Sequence, residues 1–494
     1  MSLKIGVSGV RGIIGDSLTE DVISNFAKAY GTFVYAPRLL PSPLRGEGRG
    51  EGRTILIGRD TRQSGEFVRK IVIDGLLSTG CGIVDVGLCP TPTALFLTRA
   101  LKLEGAIIIT ASHNSAQWNG LKFVRPDGTF LTKQQVEKLI SIYNSKKFKL
   151  LPNVKTICPV GANNYSPLHN RFAGRTHRFA PATLHLDAVV RAVDAAAIKK
   201  AKFKVALDYC NGTGAVTSPY LLEKLGCEVI AINAEPNGRF AHNPEPTAKS
   251  LGQLCEFVKK TKADVGFAQD PDADRLVVVS EKGIAIGEEN TLALAVKHVL
   301  LKDQKTKKRK NQKTKIVVNL STSRMIDDIC NEFGARLYRS AVGETNVVDM
   351  MREKRAVIGG EGNGGVIYPA VNFGRDSFIG MALILEYMTK TGKKVSELVG
   401  GIKQYQIEKT KIDCPQEKIK GILGRVRKYA FAGGRDAINR VSTIDGVKID
   451  YPDGWVHVRG SNTEPVIRIM AEAESKEQAQ EYIKNIEDVI LTWS

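Results

Sequence analysis

The chain has no Cys-x-x-Cys pair and no apolar run approaching the roughly 18 residues that a membrane span needs. Its eight cysteines, at 81, 89, 158, 210, 227, 255, 330 and 414, stand singly. That argues against a structural zinc site and for small buried hydrophobes in a reducing compartment. The opening Met1-Ser2-Leu3-Lys4-Ile5-Gly6 lacks the apolar core of a signal peptide, so a cytoplasmic protein with no membrane association is expected. Acidic residues are also scarce relative to basic ones, 52 against 71, leaving a net charge of +19.

Such an excess invites a nucleic-acid reading, and its distribution argues against one. Segments 36–53, 158–185 and 302–315 together carry +12 of the total, and all three read as loops. A solvated loop is the better reading of each, so no specific nucleic-acid partner is expected. Residues 45–53 alternate glycine with arginine or glutamate, cannot bury apolar surface, and read as a disordered insertion. The 158–185 stretch holds His169, His177 and His185 at spacings that fit no tight ligand set, and reads as an irregular surface insertion.

At 494 residues the chain is too long for one core and predicts three or four domains. Strands at 3–7, 54–57, 82–86 and 105–109 alternate with helices at 19–35, 64–79, 91–102 and 132–143, the pattern of a mostly parallel sheet covered on both faces. The alternation resumes with strands at 204–207, 228–232 and 264–268, and again from the strand 315–319 to the helix 377–389. From about 405 strands crowd together and end in an amphipathic helix at 475–490, an α+β pattern. The expected architecture is three similar doubly wound mixed α/β domains and a C-terminal α+β domain. The boundaries are 1–153 (insertion 36–53), an irregular 154–186, 187–288, 289–403 (Lys-rich loop 302–315) and 404–494.

Four loops carry chemistry. Thr110-Ala111-Ser112-His113-Asn114 follows the apolar run 106–109, so a hydroxyl and an imidazole sit at the end of a buried strand, where ligands of parallel sheets gather. A plain turn with local side-chain bonds is the competing reading. Asn119-Gly120 reads as a turn that folds Lys122 back toward Ser112. Asp270, Asp272 and Asp274 place three carboxylates in five residues, pointing one way if the loop is extended. Three clustered carboxylates repel unless a cation neutralises them, and an all-oxygen set suits Mg²⁺. Arg275 stands where an EF-hand needs glycine, which excludes that loop; beside the aspartates it balances charge or holds a phosphate. In Gly359-Gly360-Glu361-Gly362-Asn363-Gly364-Gly365, Glu361 and Asn363 offer an acceptor and an amide for sugar hydroxyls, or the stretch is merely flexible. Arg459-Gly460-Ser461-Asn462-Thr463-Glu464-Pro465 has the makings of a phosphate nest, with Arg468 a further partner or a strand-face residue. Ser8 and Arg11, in a glycine-rich stretch after the first strand, fall at the same sheet end.

These four loops, in this order, resemble the α-D-phosphohexomutase superfamily, over the whole chain apart from the two insertions and the Lys-rich tract. The resemblance implies four domains around a central cleft, a phosphorylated Ser112, and one Mg²⁺ held by Asp270, Asp272, Asp274 and a phosphoserine oxygen. It implies that Lys122 is the general acid/base, that His113 and Arg11 act at the catalytic loop, and that Glu361 reads the sugar. Arg459, Ser461, Asn462 and Thr463 would grip the distal phosphate of a sugar-phosphate substrate. Its implied reaction interconverts hexose 1- and 6-phosphates through a hexose 1,6-bisphosphate, which is intermediate and activator. Two departures stand out: Ser115 where the family usually has proline, and Glu-Gly-Asn-Gly-Gly where many members have Glu-x-Ser-Gly-His. The variant is most similar to archaeal-type phosphoglucosamine and phosphomannose/phosphoglucose mutases; glucosamine phosphate is the expected substrate, mannose or glucose phosphate the alternative. A remoter reading makes Asp270 the nucleophile of an aspartyl-phosphate phosphatase, which leaves the serine and C-terminal loops without a task. Oligomeric state is not legible.

Overall fold

The computed structural model describes residues 3–7, 9–35, 53–151, 157–159, 180–306, 313–432, 438–461 and 465–491. The chain divides into two compact units, 1–295 with 364–399, and 296–363 with 400–494.

The first unit begins with a seven-stranded mixed sheet made of β1 (Lys4–Gly6), β2 (Gly9–Ile13), β3 (Thr54–Arg59), β4 (Gly82–Leu88), β5 (Gly105–Ile109), β6 (Trp118–Val124) and β7 (Ile157–Pro159), in the order β1-β2-β6-β5-β3-β4-β7. Strands β5, β3, β4 and β7 run parallel, while β6, β2 and β1 continue the sheet by antiparallel pairing. All five residues of β5 are buried: Ile107 and Ile109 join one apolar cluster, Ala106 and Ile108 another, so both faces are covered. The helix Glu20–Val34 starts where Thr19 accepts from the Val22 N–H, with Glu20 and Asp21 in its first turn, and it buries Ile23, Phe26, Tyr30 and Phe33. Tyr30 Oη donates to Val124 O on β6 at 2.5 Å. A Cβ at Gly105 would lie 2.0 Å from that hydroxyl oxygen, which requires glycine there.

A second sheet holds β8 (Lys204–Asp208), β9 (Glu228–Ile232), β10 (Val265–Gln269) and β11 (Leu276–Ser280), in the order β11-β10-β8-β9, with only β11 antiparallel. The helix Glu288–Thr306 carries the chain from the first unit into the second. There β12 (Lys315–Asn319) lies parallel between β13 (Arg336–Ser340) and β14 (Ile358–Glu361). At Gly364 the chain returns to the first unit with β15 (Gly365–Ile367) and the buried helix Ser377–Thr391. Last come β16 (Gln406–Asp413), β17 (Arg440–Ser442), β18 (Val447–Asp450), β19 (Gly454–Gly460) and β20 (Val466–Ala473), an antiparallel sheet in the order β16-β20-β19-β18-β17. Helices Gln416–Ala432 and Lys476–Leu491 share one apolar core with it.

The layers are those the alternation predicts, with four corrections. The expected strand at 3–7 is one arm of a hairpin with β2. Residues 118–124 are a strand rather than a turn. The irregular insertion shrinks at both ends, since Ile157–Pro159 pairs with β4 and a helix spans Ala180–Ala192. Of the Lys-rich tract, 302–306 close the helix Glu288–Thr306 and Lys315 opens β12. Residues 36–52, 160–179 (with His169 and His177) and 307–312 lie outside the described residues. Among the described residues no helix is long and apolar enough to cross a membrane.

Candidate active site

Ser112 sits three residues past the end of β5, 1% exposed, with its backbone in the left-handed region at φ 50°. Non-glycine residues other than Asn and Asp seldom adopt that region, so the surrounding bonds must impose it. Its Oγ donates to Asp270 Oδ2 at 3.1 Å and lies 3.3 Å from His113 Nδ1. Burial, then the positive charges of Arg275, Arg11 and Arg375, push the His113 imidazole well below its ordinary range, so the ring is neutral.

Lys122 reaches this point by strand register. It stands on β6 opposite Ile108, and Gly120, two residues away on the same face, stands opposite Arg11 of β2. A Cβ at Gly120 would meet Val10 O at 2.5 Å and Arg11 Cγ at 2.9 Å, so glycine lets the Arg11 side chain cross the strand. The expected Asn119-Gly120 turn is thus overturned: hydrogen bonding along β6 outweighs the dipeptide's turn preference. Asn119 instead donates to Ser64 Oγ. Arg11 Nη1 donates to Asn114 Oδ1 at 3.2 Å, and burial lowers its guanidinium to about 10.

The aspartates lie between β10 and β11. The loop is compact rather than extended, because Asp270 Oδ1 accepts from the backbone N–H groups of Asp274 and Arg275 at 3.1 and 3.0 Å, with Ala273 at φ 56°. The carboxylates still converge, one oxygen of each lying within 4.8 Å of the others. All three are buried. Lys122 Nζ donates to Asp272 Oδ2 at 2.7 Å and to Asp274 Oδ2 at 3.3 Å. Thr91 Oγ1 donates to Asp272 Oδ2 and Arg375 Nη2 to Asp274 Oδ2. Burial, then repulsion from Asp274 and Asp272, drives the Asp270 carboxyl well above the carboxylate range. Burial acts the same way on Asp272, but the Lys122 ammonium outweighs it and holds that carboxyl below the range. For Lys122 burial would lower the ammonium, and Asp272 and Asp274 raise it instead. Asp272 Oδ1 and Asp274 Oδ1 are buried with no hydrogen-bond partner. Buried acceptor oxygens without donors fit a hard divalent cation.

The Arg275 guanidinium, unlike its backbone N–H, does not pair with the aspartate side chains. Its Nη1 meets Glu245 Oε1 at 3.3 Å, and its Nε is buried without a partner. His185 is a core residue, with Nδ1 3.0 Å from Thr93 Oγ1 and Nε2 2.8 Å from Asp376 Oδ2.

Within the second unit, Glu361 ends β14 nearly buried, and its Oε1 accepts from Asn319 Nδ2 at 2.9 Å and the Gly343 N–H at 3.1 Å. Asn363 Oδ1 is buried without a partner. Arg459, next to last in β19, stands opposite Arg468 of β20. Burial lowers the Arg459 guanidinium, Asp445 and Glu361 raise it, and Arg468 lowers it further. Arg468 is exposed on the strand face. Ser461 is buried and its N–H donates to Val466 O. Asn462 and Thr463, like Ser8, lie outside the described residues.

Sequence reading missed Asp60, Arg62, Thr91 and Arg375. The first two follow β3 at the sheet end that also carries Ser112, so the rule that singled out the serine loop applies equally to Gly58-Arg59-Asp60-Thr61-Arg62.

Models of phosphoglucomutase/phosphomannomutase alpha/beta/alpha domains I, II and III match residues 2–150, 183–283 and 288–405, and the model of the C-terminal domain matches 410–489. The chain is 38% identical to a phosphoglucomutase/phosphomannomutase of Thermococcus kodakarensis, across 98% of this chain and 97% of that one. It is 32% identical to a probable phosphoglucosamine mutase of Methanopyrus kandleri, across 99% and 98%. The crystal structure of a putative phosphomannomutase from Thermus thermophilus shares its fold, with a TM-score of 0.76 and 23% identity over 99% of both chains.

Proposed function

Since the chain belongs to the phosphoglucomutase/phosphomannomutase family, phosphohexomutases that move a phosphoryl group within one sugar, we propose that it interconverts glucosamine 1- and 6-phosphates through phosphorylated Ser112. The observation that carries the reading is Ser112 Oγ lying 3.1 Å from an aspartate of the buried triad, with Lys122 bonded to the other two. Glucosamine phosphate rests on the relatives named as probable phosphoglucosamine mutases. The relative named phosphoglucomutase/phosphomannomutase supports glucose or mannose phosphate as the second reading.

In the first half-reaction the bond from phosphorus to Ser112 Oγ breaks as the sugar 6-hydroxyl attacks, and one proton passes from that hydroxyl to the serine oxygen. Lys122, kept charged by Asp272 and Asp274, is the group that supplies and recovers it. Neutral His113 orients Oγ, while Arg11 steadies the loop through Asn114. The 1,6-bisphosphate then turns over, and Ser112 takes the phosphoryl from the other end. The family is Mg²⁺-dependent, and Asp270, Asp272 and Asp274 with a phosphoserine oxygen would hold the ion, which neutralises charge on the transferred group. Arg275, with its unpartnered Nε, serves the same phosphate. Glu361 and Asn363 are assigned to sugar hydroxyls; Arg459, Ser461, Asn462 and Thr463 to the phosphate that stays.

The test compares kcat/KM for the 1- and 6-phosphates of glucosamine, mannose and glucose, in wild type and in Ser112→Ala with bisphosphate supplied. Glucosamine phosphate should lead, and Ser112→Ala should lose activity by orders of magnitude. Full activity in that variant defeats the reading. A phosphoenzyme destroyed by neutral hydroxylamine would instead support an aspartyl phosphate.

A further inference from the structure

We infer that Asp60 and Arg62 form a positioning unit that holds the Ser112 backbone from both sides and aims its hydroxyl at the aspartate triad. The inference rests on the reading of Ser112 as the phosphorylated residue. Arg62 is 1% exposed, under the ring of Phe240 at 5.1 Å. Its Nε donates to Asp60 Oδ2 at 3.0 Å. Nη1 donates to Ser115 O and Trp118 O at 2.6 and 2.8 Å, and Nη2 to Ser112 O and Asn114 O at 2.7 and 2.6 Å. All five N–H donors of the guanidinium are therefore used, three of them on carbonyls of the catalytic loop and one on that of Trp118, the first residue of β6.

The other end of Ser112 is held through the same aspartate. Asp60 Oδ2 also accepts from Thr110 Oγ1 at 2.6 Å, and Thr110 Oγ1 accepts the Ser112 N–H at 2.8 Å. The ring thus closes on both the N–H and the C=O of Ser112, the residue whose left-handed backbone has no support of its own. A buried ion pair adds little net stability, so fixing a geometry is the better account of this one. The carbonyl of Ser115, where the family usually carries proline, is one of the four that Arg62 holds. Lysine, with three donors on one nitrogen, cannot span these carbonyls.

The test uses the full chain as wild type, Ser112→Ala, Arg62→Lys and Thr110→Val, each incubated with glucose 1,6-bisphosphate and assayed for phosphate position, kcat and KM. Phosphate on a residue other than Ser112 in wild type would show that the underlying reading fails, whatever the other variants do. With Ser112 labelled in wild type, Arg62→Lys should lose about 10²-fold in kcat at unchanged KM, the scale of a small misplacement of a reacting group. Thr110→Val, which cuts only the N–H side of the ring, should fall in the same way and decides alone if Arg62→Lys does not fold. Wild-type kcat in the folded variants, or a loss that merely tracks the folded fraction by tryptophan fluorescence, overturns the inference.

Discussion

Lys122 and Asp272 stand 2.7 Å apart in a region closed to water, the ammonium from strand β6 and the carboxylate from a loop of another sheet. Each keeps the other charged against burial. Lys122→Met should cut kcat by about 10² to 10⁴, the usual weight of a general acid/base. The same change removes a positive charge from the edge of the proposed metal site, so Mn²⁺ should bind the variant more tightly than wild type by calorimetric titration. Near-normal turnover, or weaker Mn²⁺ binding, would contradict the role given to this pair.

The buried oxygens Asp272 Oδ1 and Asp274 Oδ1, both without donors, make a thermal prediction. A ligand that binds only the folded state stabilises it by about 2.7 kcal/mol at a hundred times its Kd. Saturating Mg²⁺ should therefore raise the Tm relative to EDTA, and the combined change of Asp272→Asn and Asp274→Asn should abolish the rise. An equal rise in the variant would place the cation elsewhere.

Lys448 gives the clearest dependence on pH. It lies 2% exposed on β18, its Nζ 3.0 Å from Asp450 Oδ1 and 4.7 Å from the Trp455 ring centroid, with His457 opposite on β19. Burial first, then Arg339, lowers its ammonium from 10.5 to about 8, against the opposing pull of Asp450 and Asp327. Between those values the unfolded chain binds more protons than the folded one, so this group's contribution to stability rises with pH. Below about 8 the folded protein carries the full cost of a buried charge, on the order of 3 kcal/mol. Lys448→Met should be the more stable protein at pH 7, and its advantage should shrink by pH 10. Urea unfolding at both values measures this, and an advantage that does not change with pH rules it out.

Much of this was legible in the sequence. Chemistry carried by four or five consecutive residues, such as Thr110-Ala111-Ser112-His113 and Asp270-x-Asp272-x-Asp274, is local: carboxylates two apart meet whether the loop is extended or compact, as the Asp270 loop proved to be. Strand β5 was readable because both of its faces are buried, which leaves an uninterrupted apolar run. Strand β6 was not, because Asn119-Gly120 carries a turn signature and Lys122 is charged. Only pairing with β5 and β2, together with the carboxylates of another sheet, makes a strand and a buried lysine favourable there.

By itself, then, the sequence determined the succession of layers and singled out the groups proposed to react, because both depend on short-range pattern and side-chain chemistry. The fold decided which groups are neutral or charged, and which residues hold the others in place. Asp60, Arg62, Thr91 and Arg375 act across separations of 50 to 181 residues, and their effect arises only when water is excluded around all of them together. Charge and hydrogen bonding in a buried site depend on the three-dimensional neighbourhood, and no stretch of chain contains that neighbourhood.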